Sequence, residues 1–262
     1  MTSLPITLLT AIALSLPAAA MPPSAPSLSS DARPQVPVII DPGHGGDDLG
    51  AVVHGLREKD IALAVARKLR DRLKADVPVR MTRDSDDYVP LDRRVVDAVD
   101  WDGALFVSIH LNQVRSRKNS GAIVYSFAAQ KVRRHWHFHR RHPKVPLMPA
   151  PPRVESRQSD ELAGAVVAEL RRDGFRVEQS RSDYYVLKNP TQPSILIELG
   201  YLSNPDEAAK LSDPAYQDKI ADSLAKALSS FAENRAIRTA DSAASPAPAA
   251  QTPTAPAAPA PL

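Results

Sequence analysis

The sequence predicts an α/β fold, a single domain with a twisted, mostly parallel β-sheet flanked by helices. Three observations carry this expectation. Short apolar runs of strand length occur at Val36–Ile40, Ala104–Ile109 and Ser194–Leu199. Stretches with helical spacing of apolar residues separate or follow them. Each run also delivers a chemically capable residue at or near its end: His44, His110 and Glu198 respectively. Open α/β sheets bind ligands along the carboxyl edge of their strands, so the sheet and the candidate site support one another.

Taken in order, the chain opens with residues 1–20, which hold an apolar core from Leu4 to Leu16 and end Ala18-Ala19-Ala20. This is too short to span a bilayer and reads as a signal peptide for export. A Pro/Ser-rich linker over 21–35 leads to a domain spanning 36–232. Its first strand is rich in β-branched residues, and Asp41-Pro42-Gly43 is expected to stop it. His44 stands just past that stop, followed by Gly45-Gly46, where backbone can approach a ligand. Glu58 heads a helix over 58–75, with Ile61, Val65, Leu69 and Leu73 at helical spacing. A strand at Val77–Thr82, a polar turn at Arg83–Asp87 and a helix at Leu91–Val99 follow, with Arg93 and Arg94 read as surface or groove charges. After the His110 strand comes a further strand, Gly121–Phe127.

Residues 128–157 break the pattern. They form a basic, His/Pro-rich insertion carrying His135, His137, His139 and His142. Ser159 then reads as an N-cap for a helix through Arg172, with Asp160 and Glu161 in its first turn. Asp183–Lys188 is expected as a strand. Asn204-Pro205-Asp206-Glu207 and Asp213-Pro214 are helix-start signatures, the last helix reaching about Phe231. Residues 236–262 are Ala/Pro-rich and read as a disordered tail.

Composition narrows the chemistry. With no cysteine, the chain has neither disulfides nor a thiolate metal site, so any metal must be held by histidine and carboxylate. A net charge of +3 suits an anionic cell envelope and is too small to argue for a nucleic-acid partner. No stretch is long and apolar enough for a transmembrane span. An ionised carboxylate inside an apolar strand such as Ser194–Leu199 is costly unless a cation or hydrogen-bond donor meets it. Two histidines and one carboxylate, with a fourth position for water, form a catalytic zinc arrangement, and the second carboxylate is left as a general base. Spacing alone leaves open which of Glu58 and Glu198 is the ligand. Asp41 is a candidate to orient His44, or else a turn residue at a strand end.

The segments DPGHGGDDLGAVVHGLREKDIALAVARKL, TRDSDDYVPLDRR, LFVSIHLN and ILIELGYLSNPDEAAKL resemble, in order and spacing, the zinc-dependent N-acetylmuramoyl-L-alanine amidases of bacterial cell-wall turnover. The resemblance implies one zinc ion per chain held by His44, Glu58 and His110, with Glu198 as the catalytic carboxylate. It also implies a peptidoglycan substrate, cut at the amide between N-acetylmuramic acid and L-alanine, and a place in the periplasm or cell envelope. Some family members carry a blocking helix near the insertion, removed by a regulatory protein partner. Here the insertion reads instead as a basic flap for acidic stem peptides. Three readings compete with this one: a zinc peptidase cutting within the stem peptide, a non-catalytic wall-binding relative, and a metal-handling protein built on the insertion's histidines.

Overall fold

Strand β1 (Val38–Pro42) lies in the interior of a six-stranded sheet because every one of its residues is buried. In the computed structural model, which describes residues 35–101, 104–128, 153–189 and 191–244, β1 pairs in parallel with β4 (Val79–Met81) and β5 (Leu105–Asn112). Beyond β5 comes β8 (Ser194–Tyr201), also parallel. The sheet continues through β6 (Ala122–Phe127), antiparallel to β8, to β7 (Val177–Ser182), parallel to β6. The three runs that predicted the fold are therefore adjacent parallel strands, in the order β1-β5-β8.

Helices cover both faces. Helix α1 (Glu58–Leu73) buries Ile61, Val65, Leu69 and Leu73, one residue per turn, against a large core shared with α3 (Arg153–Arg172) and α5 (Pro214–Ala244). On the other face, α2 (Leu91–Val99) and a 3₁₀ turn at Tyr185–Leu187 close a smaller core around Phe106, Leu196 and Leu187. Helix α4 (Pro205–Ser212) starts as its sequence requires. Asn204 Oδ1 accepts from the backbone amides of Asp206 and Glu207, and Pro205 occupies a position where no amide is needed.

Several elements differ from expectation. Asp41 and Pro42 belong to β1, which ends only at Gly43, whose amide donates to the Ile109 carbonyl at 2.9 Å. The strand expected at Asp183–Lys188 lies earlier, at Val177–Ser182. As an edge strand it keeps four of its six residues exposed and lacks apolar alternation. The apolar residues that suggested a strand, Val186 and Leu187, instead fill the smaller core from the 3₁₀ turn. Helix α3 starts at Arg153, within the expected insertion. Ser159 is an interior residue of it, and its buried Oγ accepts from the Ser194 amide at 2.9 Å. Helix α5 continues past Phe231 and through Ala236 to Ala244, into the expected tail. Residues 236–244 lack proline and are rich in alanine, the best helix former; the proline-rich composition that suggested a tail begins only at Pro246. A short hairpin, β2 (Val52–Val53) with β3 (Leu56–Arg57), was not anticipated. The expected signal peptide, the four insertion histidines and the last eighteen residues lie outside the described residues. Among the described residues no helix is long and apolar enough to cross a membrane.

Candidate metal centre

The carboxyl end of β1 is fixed by buried arginines. Arg94, on α2, donates through Nη1 to Asp41 Oδ1 at 2.6 Å and to the Pro42 carbonyl at 2.7 Å, and through Nη2 to the His44 carbonyl at 2.7 Å. Arg83 donates to the carbonyls of Pro42, Gly43 and Lys59. Both arginines are under 5% exposed, so Arg94 is a buried charge where the sequence suggested a surface or groove one. Helical spacing puts it with Val95 and Ala98 on the buried face of α2. Asp41 is fully buried and also accepts from Thr82 Oγ1 at 2.6 Å and Ser108 Oγ at 2.7 Å. Burial opposes its ionisation, but Arg94 and the two hydroxyls hold its carboxyl below the usual range.

This frame holds His44 in a left-handed backbone conformation, φ 59°, which a non-glycine residue adopts only when its surroundings enforce it. Asp41 does not orient the His44 ring, one of the two roles the sequence offered for it, because its carboxylate is committed to Arg94. Asp48 takes that place, with Oδ2 at 2.9 Å from His44 Nδ1. His44 Nε2 then faces Glu58 Oε2 at 3.1 Å, and His110 Nδ1 lies 2.9 Å from Glu58 Oε1. Glu58 is aimed by two amides: Ala51 donates to Oε2 at 2.8 Å and Leu111 to Oε1 at 3.0 Å. One ligand atom from each of His44, Glu58 and His110 lies within 4.8 Å of the others, so the three could hold a metal ion. The donor set, two imidazoles and a carboxylate, suits a borderline cation such as zinc.

The charges fit such an ion. Burial works against ionised Glu58, yet hydrogen bonds to His110 and His44 keep its carboxyl well below the ordinary range. Burial likewise lowers His44, but Glu58 and Asp48 outweigh it and raise its pKa. The same lone pairs that attract a proton would bind a cation, so protons and metal would compete for the cluster.

Two glycines make room for the cluster. A Cβ at Gly43 would lie 2.3 Å from His110 Cε1, and one at Gly50 would lie 2.6 Å from both Glu58 Oε2 and His44 Cδ2. Gly43→Ala is therefore expected to leave the fold intact, push the His110 ring aside and weaken metal binding about tenfold or more. A chelator-competition titration showing unchanged affinity would contradict this.

Glu198 completes the constellation. In the ladder it sits opposite His110 on β5 and Ile123 on β6, so these side chains share one face of the sheet. Its Oε2 is sealed from solvent and has no hydrogen-bond partner among the described residues. Burial pushes its carboxyl up to about 7, with His110 and His44 pulling the other way and Glu58 adding to the rise. Beside it stand Tyr125 and Tyr184, edge to face with ring centroids 5.3 Å apart. Both phenols are raised, first by burial and then by the Glu198 charge. Sequence reading did not single out Arg83, Asp48, Tyr125 or Tyr184. Only Arg94 left a trace there, in the 3.6-residue spacing of α2.

Comparison with known proteins agrees with this geometry. Residues 38–230 match the family model Amidase_3, described as N-acetylmuramoyl-L-alanine amidase. The germination-specific N-acetylmuramoyl-L-alanine amidase of Bacillus subtilis is 34% identical over 209 residues, covering 73% of this chain and 77% of that protein. The catalytic domain of CwlV, an N-acetylmuramoyl-L-alanine amidase from Bacillus (Paenibacillus) polymyxa, superposes with a TM-score of 0.63 at 27% identity, covering 76% of this chain and 99% of that one. The CwlD amidase from Clostridioides difficile, solved in complex with the GerS lipoprotein, gives a TM-score of 0.62 at 28% identity, covering 76% and 100%. With the family model spanning most of the sequence and every element of the sheet, the chain belongs to the Amidase_3 family of N-acetylmuramoyl-L-alanine amidases.

Proposed function

We propose that this chain hydrolyses the amide between N-acetylmuramic acid and L-alanine in peptidoglycan, using one zinc ion held by His44, Glu58 and His110. The observation that carries the reading is the unpartnered, buried Glu198 Oε2 set in the same row of the sheet as His110. Bound zinc would polarise the scissile carbonyl and acidify the attacking water. Glu198 accepts the proton of that water at Oε2 and returns it to the departing amine nitrogen. Burial places its carboxyl at about 7, where it exchanges a proton readily near neutral pH, and a cation in the cluster favours its ionised form. Asp48 holds the His44 ring through Nδ1, leaving Nε2 for the metal. Arg94 and Arg83 keep the strand end rigid beneath it.

The proposal includes export, on the strength of the apolar segment Leu4–Leu16 and of a substrate that lies outside the cytoplasmic membrane. Control by a protein partner belongs to it as well, on the precedent of the amidase solved with a lipoprotein. Mass spectrometry of digested peptidoglycan tests the reaction. Release of intact stem peptides with a free L-alanine amine is expected, and cuts confined to bonds within the stem would establish a peptidase instead. Metal analysis tests the ligands. The purified protein is expected to carry one zinc per chain, and Ala variants at His44, Glu58 or His110 to lose it. Full zinc in any of the three variants would overturn the ligand set.

A further inference from the structure

Strand β6 runs antiparallel to β8, and β7 parallel to β6, so both begin at the sheet edge where β8 ends. A cavity of about 220 Å³ opens there, lined among others by Lys118, Ile123, Arg176, Glu178 and Tyr201. It adjoins the proposed centre. Ile123 is the ladder partner of Glu198 on one side and of Glu178 on the other. These three side chains therefore share one face, the same face as His110.

A bulge in β8 completes the wall. His110 pairs with Glu198 and Asn112 with Tyr201, so β8 advances three residues while β5 advances two. Simple alternation would put Tyr201 on the opposite face from Glu198. The extra residue returns it to the same face, where it lines the cavity. Re-aiming a side chain next to a reactive group is a recurrent use of such bulges.

The charges of the cavity are unmatched. Lys118 and Arg176 are exposed, and neither forms an ion pair with a described residue; Arg176 Nη1 donates to Ser120 Oγ at 3.2 Å. The lining carboxylate, Glu178, lies on β7, two residues along the chain from Arg176, which precedes the strand. Two cations against one anion give the lining a net positive charge, which favours an anionic group held on the side of Lys118 and Arg176. Scale decides which one. Glu198 and Glu178, which marks the wall of the cavity in that row, have backbones two strand spacings apart, about 10 Å. Two extended residues span about 7 Å, and a carboxylate on the second adds most of the remainder.

We propose that this cavity is a subsite for the stem-peptide carboxylate carried by the residue after L-alanine, bound by Lys118 and Arg176. The inference rests on the amidase reading for the position of the cleaved bond. It makes Lys118 and Arg176 specificity-determining residues that distinguish stems with a free carboxylate from amidated ones. Glu178, of like charge, repels that carboxylate and keeps it on the side of the two cations.

The test is calorimetric binding of two uncleavable peptides. Both are N-acetylated L-alanyl-γ-D-glutamyl peptides ending in a diamino acid, one with the glutamyl α-carboxylate free and one with it amidated. Wild-type protein is expected to prefer the free acid. The Lys118→Gln/Arg176→Gln double variant should lose about tenfold in affinity for the acid, the scale of losing charge-assisted contacts, and under twofold for the amide. Glu178→Gln should move the other way and tighten the acid. On muropeptides the double variant should raise KM with kcat unchanged. All three side chains are exposed, so melting temperatures should stay at the wild-type value. Equal wild-type affinity for the two peptides, no binding of either, or equal weakening of both in the double variant would overturn the subsite. Failure to release stem peptides from peptidoglycan would instead sink the amidase reading, and the binding contrast is read without any turnover.

Discussion

Glu198→Gln is expected to lower turnover about 10²–10⁴-fold while leaving the zinc content and fold unchanged. Glutamine keeps the shape of the side chain at its place opposite His110 and Ile123 but cannot accept and return a proton. An amide nitrogen leaves poorly without one, so the loss should fall on kcat more than on KM. A folded, zinc-replete and fully active variant would end the assignment of Glu198 as proton carrier. A variant that unfolds or sheds its metal would show that Glu198 supports the sheet or the ligands instead.

The same substitution has a stability signature with a definite sign. In the metal-free protein the carboxyl of Glu198 is raised from 4.5 to about 7, chiefly by burial. Between these values the folded state keeps a proton that the unfolded state releases. Stability therefore falls as pH rises across that window and levels off above it. Glutamine has no such proton. The metal-free variant should thus gain on the parent as pH climbs, by an amount of order 1–3 kcal/mol at about pH 8. Urea unfolding in the presence of chelator measures it, and a gap that does not widen with pH would mean that burial does not control this group.

Legibility in the sequence follows the range of the interactions involved. β1, β5 and β8 are central strands buried on both faces, so their local composition alone marks them as strands. His44, His110 and Glu198 could be picked out because each stands at or near such a strand's end. The edge strand β7 could not, since its residues face solvent and lack apolar alternation. The second tier of the site was hidden for another reason. Arg94 meets Asp41 from 53 positions away, Thr82 meets it from 41, and Ser159 reaches Ser194 across 35. No local pattern records such pairings. Asp48 lies within one helical turn of His44 in sequence, yet nothing local distinguishes it from Asp41, whose carboxylate is taken by Arg94 only in the folded chain.

That pairing predicts the largest effect on stability. Asp41 and Arg94 are 0% and 3% exposed and lie 2.6 Å apart, so each is the other's direct ion-pair partner in compensating for lost solvation. Arg94→Met should cost about 3–5 kcal/mol, a large share of the stability of an ordinary domain. Thr82 and Ser108 would still donate to Asp41, but two hydroxyls do not replace a guanidinium. Asp41→Asn should cost a comparable amount by stranding Arg94. The double variant Asp41→Asn/Arg94→Met should then fall short of the sum by more than about 1 kcal/mol, because neither member of the pair is left as a charge without the other. It should not return to wild type, since the His44 carbonyl loses its donor and the Pro42 carbonyl keeps only that of Arg83. The single variants should differ at the metal. Arg94→Met frees the His44 carbonyl and should weaken zinc binding along with the fold, whereas Asp41→Asn leaves that hydrogen bond in place and should weaken mainly the fold. Urea unfolding and zinc competition on the three variants decide the matter. Strictly additive losses would mean that the pair is not coupled, and equal zinc affinity in the two single variants would mean that Arg94 does not hold His44 for the metal.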